Sequence, residues 1–260
     1  MTTIPFFQVD AFADGPLTGN PAAVMPLDRW LDDALMQAIA AENNLSETAF
    51  TVPSDSDDAD YALRWFTPTV EVPLCGHATL ASGHILMSGS KVRFRTQSGV
   101  LSVSRTANLL ELDLPMAKLT EIEIPELCAA LGVSNRPVWL ADGFNDSAIV
   151  PLETEDEVRA VAPDFAKLKT VEHMAIVTAP GDEQDIASRV FVPYMGIDED
   201  PVTGAAHGAL TPYWAKRLGR NEFTALQASA RTGILHCRAA GDRVILGGHC
   251  ATVIVGNFQL

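Results

Sequence analysis

The chain has 260 residues, 47% of them apolar and 20% charged, with a net charge of −15 and a pI near 4.7. That is a globular composition with room for one large or two ordinary domains. The acidic balance argues against nucleic acid or an anionic membrane as partner, because both call for basic patches, and a small organic substrate is expected instead.

In chain order, residues 5–12 alternate as a first strand, and the turn formers Gly15 to Pro21 lead to a second at 22–25. Asp28 is expected to cap a helix running to about Glu42, with Leu31, Leu35 and Ile39 recurring every four residues and the two leucines pointing inward. Glu47 then stands among Leu45, Ala49 and Val52 at the entry to another strand. Facing water it would be ordinary; facing a cleft, desolvation would raise its pKa toward the range of a proton carrier. Residues 55–60 form an acidic, solvated loop and 64–67 a strand. The helix expected over 76–87 is small or apolar nearly all round, so it should be enclosed by protein. Three short strands at 92–96, 99–105 and 109–114 read as an antiparallel meander, with 115–118 crossing into the second half. There a short helix has Pro125 in its first turn and Gly132 past its end, followed by strands at 138–140 and 147–152, an acidic helix at 155–167 and a strand at 174–178. A second enclosed helix spans about 203–217, with Pro212 inside it and Gly219 as its stop. Strands at 223–229, 233–238, 243–247 and 251–256 complete the chain.

One stretch occurs twice. Arg64, Phe66 and Pro68 line up with Arg189, Phe191 and Pro193, and a short insertion brings Gly76 into line with Gly204. In each copy an alternating run, a proline turn and a glycine lead into an Ala-rich helix. Two copies half a chain apart argue for two similar halves, since a solenoid needs three or more repeats. Each glycine either just permits a tight turn or also opens a helix N-terminus, whose N–H groups suit a carboxylate or phosphate.

Polar groups near those helix starts are His77, Asp200 and His207, with Glu47 and Asn20 from loops of the first half. Glu can move a proton from carbon while His and Asp hold hydroxyl or amino groups. Taken singly, His77 reads equally as a cap, Asp200 as a turn residue before Pro201, and His207 as packing. A racemase with two thiol bases would need cysteines at matching places, but Cys75 precedes Gly76 where Thr203 precedes Gly204; Cys75 reads as a buried thiol. Pairing Cys75 with His77, or His236-Cys237 with His249-Cys250, lacks zinc spacing, so no metal is expected. GxGxxG, GxxxxGK[ST] and GxSxG patterns are absent, so no nucleotide cofactor or serine elbow is expected. The four cysteines, Cys75, Cys128, Cys237 and Cys250, lack a disulfide-framework spacing and read as reduced. No run reaches bilayer length and the start lacks a signal-peptide pattern, so a cytoplasmic protein is expected.

Four blocks together carry a resemblance: Gly19-Asn20-Pro21-Ala22-Ala23-Val24, Ser46-Glu47-Thr48-Ala49-Phe50, Phe66-Thr67-Pro68 with Glu71-Val72-Pro73-Leu74-Cys75-Gly76-His77-Ala78-Thr79, and Glu199-Asp200-Pro201-Val202-Thr203-Gly204. In this order, over nearly the whole chain, they resemble the PhzF-type isomerase/epimerase family of phenazine biosynthesis. The resemblance implies an α+β, diaminopimelate-epimerase-like fold of two pseudo-symmetric halves, each with sheet wrapped around a central helix and the active site between them. The halves would be residues 1–117 and 118–260, with the last strand, about 250–260, packing with the first. It implies cofactor-independent proton transfer on a small carboxylated, amino- or hydroxy-substituted substrate, with Glu47 as proton carrier. Gly76, His77, Asp200, Gly204, Ala205 and Asn20 would be substrate-binding, and the chain would form a homodimer. The phenazine enzyme carries serine where this chain has Ala205, which puts the phenazine substrate in doubt. The rival expectation is a non-catalytic small-acid binder or sensor on the same fold.

Overall fold

The computed structural model describes residues 3–143 and 147–260. Contacts divide the chain into two units, Met1–Asp113 with Gly247–Leu260, and Leu114–Leu246.

The first unit runs β1 (Thr3–Ala11), β2 (Asn20–Pro26), α1 (Asp33–Asn43), β3 (Glu47–Pro53), β4 (Tyr61–Phe66), β5 (Glu71–Val72), α2 (Gly76–Leu86), β6 (Lys91–Thr96), β7 (Gly99–Thr106) and β8 (Leu109–Pro115). β2 lies parallel to β3, β3 antiparallel to β4, β4 parallel to β6, and β6, β7 and β8 form the meander. The helix α1 begins later than Asp28, which is a correction to the expected cap. Leu27 N–H still bonds the Thr51 carbonyl beside β3, so the chain is committed to the sheet there, and Asp32 takes the N-cap position. Met36, Ile39 and Ala40 are the buried face, with Leu31 and Leu35 packed partly buried against the same cluster. The Ala-rich α2 is buried from Gly76 through Gly83, as a helix without a polar face must be.

The second unit runs β9 (Leu119–Ile122), α3 (Pro125–Leu131), β10 (Val138–Ala141), β11 (Ser147–Pro151), α4 (Glu155–Ala160), α5 (Phe165–Leu168), β12 (Ala175–Pro180), β13 (Ile186–Val192), β14 (Ile197–Asp200), α6 (Gly204–Leu218), β15 (Glu222–Gln227), β16 (Gly233–Ala240) and β17 (Arg243–Gly248). The last strand, β18 (Cys250–Gln259), returns to the first unit and pairs antiparallel with β1. The acidic helix expected over 155–167 is instead two short helices. Pro163 has no N–H to give and pushes Ala162 out of the helical region. Each piece has its own cap, Thr154 accepting from Glu157 N–H and Asp164 from Lys167 N–H. The longer α6 runs unbroken through Pro212 to Gly219, whose left-handed φ of 66° ends it.

The pairing pattern of the first unit recurs in the second. β11 lies parallel to β12, β12 antiparallel to β13, and β13 antiparallel to β14 and parallel to β15. Phe66 faces Glu71 across the β4–β5 hairpin, and Phe191 faces Glu199 across β13–β14. The insertion inferred from the repeat therefore lies in the hairpin turn, where the second unit has the 3-10 turn Pro193–Met195. The repeated arginines explain themselves here. Arg64 makes two bonds of 2.7 Å to the Glu71 carboxylate and lies 5.2 Å from the Phe66 ring; Arg189 holds Glu199 at 2.8 and 2.9 Å and lies 4.9 Å from the Phe191 ring. Each is a bidentate clamp across the hairpin that feeds its unit's central helix.

Gly83 shows how tightly sheet closes on α2. A Cβ there would meet Val103 Cγ1 at 2.6 Å and Cβ at 2.7 Å. Alanine would gain up to ~1 kcal/mol in helix propensity, but overpacking costs about 1–3 kcal/mol, so the clash wins. Gly83→Ala is expected to lower stability by about 1–2 kcal/mol in a urea titration; an unchanged midpoint would mean that sheet and helix are loosely packed.

Candidate active site

In the first unit the strand entry at Glu47 and the start of α2 bring a polar cluster together. Glu47 opens β3 beside β2, with Ala22 as its register partner. Its Oε2 lies 3.0 Å from His77 Nε2, off the line of a normal hydrogen bond, with 14% of the Glu47 side chain exposed and 4% of His77. The other face of the imidazole, Nδ1, is 3.3 Å from Asn20 Nδ2 and 3.5 Å from Cys75 Sγ. Asn20 is wholly buried and opens β2, so of the residues expected to bind substrate, this one places its amide against His77. Cys75, read from sequence as an inert buried thiol, occupies the N-cap position of α2 with its sulfur in the cluster. Its adjacency to His77 was visible in the chain, but not that one imidazole spans thiol and carboxylate.

Burial pushes the Cys75 thiol up to about 11, so it stays protonated at neutral pH. Burial alone would keep His77 neutral, but Cys75 and Glu47 beside the ring outweigh it and raise His77 well above the usual histidine value. With Cys75 held as a thiol, the Glu47 carboxylate is the charge that favours the imidazolium. The donor atoms of Glu47, Cys75 and His77 also lie within 4.8 Å of one another, a set that could hold a metal ion.

The second unit builds a different site at the matching place. Its central helix α6 starts at Gly204 and Ala205, both buried, as is Asp200 at the end of β14. Thr203 Oγ1 donates to Asp200 Oδ2. Gln227 ties the same turn, its Oε1 accepting from Thr203 N–H at 2.8 Å and its Nε2 donating to the Asp200 carbonyl at 2.7 Å. Ser229 Oγ donates to the Pro201 carbonyl at 2.6 Å. Gln227 and Ser229 follow the motif by two dozen residues, and sequence reading missed them for that reason. His207 lies one turn into α6, Nδ1 donating to the Thr203 carbonyl at 2.9 Å with Ser188 Oγ 3.4 Å from Nε2. Burial pulls it down to about 4, only partly offset by the Thr203 carbonyl. His207 is therefore a neutral packing histidine.

The register makes the asymmetry explicit. Thr48 pairs with Phe66 and Ala175 with Phe191, so Met174 stands where the first unit has Glu47. Counting from Gly76 and Gly204, Thr203 matches Cys75, Ala205 matches His77 and His207 matches Thr79. Among the described residues, the cluster of carboxylate, thiol and imidazole is confined to the first unit.

Two enclosed-helix units with this pairing pattern define a diaminopimelate-epimerase-like α+β fold. The model of the phenazine biosynthesis-like protein family, PhzC-PhzF, matches residues 9–256, and the chain belongs to that family. It is 47% identical to an uncharacterized isomerase of Pseudomonas aeruginosa over 99% of both chains. A crystal structure of a PhzF-family protein from Enterococcus faecalis matches with 43% identity, covering 100% of each chain, at a TM-score of 0.89. A hydroxyproline epimerase from Agrobacterium vitis, 12% identical over 98% of this chain and 92% of its own at a TM-score of 0.64, shares the fold.

Proposed function

We propose that this protein is an isomerase that moves a proton between carbons of a small carboxylated, amino- or hydroxy-substituted substrate without a cofactor, with Glu47 as the carrier. The family and its relatives point to isomerase or epimerase activity in general. The observation that supports the finer reading is the Glu47–His77 contact of 3.0 Å at the start of an enclosed helix. With Oε2 turned to His77, Oε1 is the oxygen that takes the proton. The imidazolium holds the carboxylate in place for the proton that the substrate delivers. Asn20 acts on substrate through His77: with its amide turned so that Oδ1 accepts from the imidazolium Nδ1–H, it holds the ring.

In this reading first-turn N–H groups without intrahelical partners suit a carboxylate, at Gly76 and His77 in the first unit and at Gly204 and Ala205 in the second. Asp200, held by Thr203, takes an amino or hydroxyl group. A single carrier removes and returns the proton on one face. The replacement of Glu47 and His77 by Met174 and Ala205 in the second unit supports a positional shift over inversion by two opposed bases.

The test is product formation, followed by proton NMR, from a panel of cyclic and acyclic amino- and hydroxy-carboxylic acids with chelator-treated protein and no added cofactor. Conversion of at least one acid to an isomer supports the proposal. An acid that raises the melting temperature yet is returned unchanged would favour a binder, the reading that the missing hydroxyl at Ala205 leaves in play.

The homodimer expected for this family is proposed to form through β18. That strand carries no charged residue in a chain of net charge −15, and Ile254 and Val255 are 49% and 70% exposed. An exposed apolar strand face without charge suits a protein–protein contact. Val255→Lys should convert the dimer to monomer in sedimentation velocity; a dimer indifferent to it places the interface elsewhere.

A further inference from the structure

We infer that Glu47, Cys75 and His77 form a binding site for a soft divalent cation such as Zn²⁺, which would inhibit the protein by occupying its proton carrier. The donors are one carboxylate oxygen, one thiol sulfur and one imidazole nitrogen, all within 4.8 Å of one another. Sulfur, nitrogen and oxygen in that number are the three-ligand set of zinc sites that keep a fourth position open. Neither Cys75 nor His77 has to be carried in from a distant element, since they flank Gly76 at the start of one helix.

The surroundings suit a liganded histidine. A metal-bound imidazole usually donates its remaining N–H to an oxygen, which fixes the ring. The Asn20 amide lies 3.3 Å from Nδ1 and, turned about its last bond, presents its carbonyl oxygen to an Nδ1–H, which leaves Nε2, beside Glu47, for the ion; Cys75 Sγ, 3.5 Å from Nδ1, turns about its Cα–Cβ bond to join it. Amide orientation follows the hydrogen-bond network and is free to follow the ligand. The partly exposed Glu47 carboxylate is where an ion would first arrive. On binding, the metal–sulfur bond forms as the Cys75 thiol proton leaves to solvent, and the metal–nitrogen bond forms as the imidazolium gives up its Nε2 proton in the same way; no electron is transferred and no other co-reactant is needed. Such a cation is an inhibitor and not a resident cofactor, because it takes the carboxylate that the proposed reaction requires.

The inhibition rests on the proton-carrier reading, whereas binding does not, and the test separates them. Chelator-treated protein is titrated with Co²⁺, which replaces Zn²⁺ and reports sulfur ligation through a thiolate-to-cobalt charge-transfer band in the near ultraviolet. The wild type should develop the band and saturate at one equivalent. Cys75→Ser should lose it while Cys128, Cys237 and Cys250 remain. Glu47→Gln should keep the band but bind more weakly by more than the ~10–100-fold that loss of an outer-shell partner brings. Thermal melts establish that each variant is folded, and Glu47→Gln keeps the proposal falsifiable if Cys75→Ser is not. A wild type without the band, a band undiminished in folded Cys75→Ser, or an affinity unchanged in Glu47→Gln overturns the site. Any of these would leave the proton-carrier reading standing, because the absorption is read without turnover.

Discussion

Glu47→Gln is expected to lower kcat by about 10²–10⁴, the range that a positioned acid/base supplies, while substrate affinity changes little. Glutamine keeps the size and the polar oxygen of the side chain, so the fold, the contact with His77 and the packing beside Ala22 survive. What it loses is the capacity to take a proton from carbon and give it back. His77 should respond as well. With no carboxylate beside it, burial is opposed only by Cys75, a thiol at neutral pH, and the ring should titrate lower than in the wild type. A two-dimensional NMR spectrum of the histidine side chains checks this without any substrate. A Glu47→Gln variant with near wild-type kcat would remove Glu47 from the mechanism; an unmoved His77 titration would mean that the 3.0 Å contact is not an electrostatic pair.

The second large effect concerns stability and lies in the other unit. His207 is wholly buried and titrates near 4 instead of its ordinary 6.5. Its folded-state value is depressed, so between pH 6.5 and 4 the unfolded chain takes a proton that the folded chain refuses, and stability falls as the pH drops through that window. The gap corresponds to about 3 kcal/mol, fully present above about pH 7 and lost as the pH falls through about 4. Carboxylates such as Glu155, held low by Arg159 and the Asp182 N–H against the opposing effect of burial, also weaken the fold in acid, so the comparison must be internal. Urea titrations at pH 7 and pH 4.5 should show His207→Gln losing about 2–3 kcal/mol less than wild type between the two. Equal losses would mean that the imidazole reaches solvent and is not the packing residue described.

Much of this was readable in the chain because the informative signals are local. The enclosed helix α2 follows from a run with no polar face, and the duplicated Arg–Phe–Pro layout announced paired units. Where reading failed, the deciding contacts were distant or outvoted. Asp28 looked like a cap, but the Leu27 bond to Thr51 in β3 keeps the chain in the sheet and hands the helix start to Asp32. The acidic stretch 155–167 read as one helix, yet Pro163 divides it. Short strands such as β5 and β14 carry too few residues for alternation to show; they exist because Arg64 and Arg189 reach across to Glu71 and Glu199. At the site, Asn20 is named from its motif and Cys75 lies two residues before His77, but only folding shows both at one nitrogen of His77.

The central claim is that Glu47 exchanges a proton with substrate carbon. Its most direct test is mass spectrometry of deuterium incorporation in heavy water, on the acid that the wild type converts, with wild type and Glu47→Gln side by side. The account predicts deuterium at carbon with the wild type and none with the variant, although both bind the acid. Incorporation that persists undiminished in Glu47→Gln would contradict it and assign the carbon chemistry to another group.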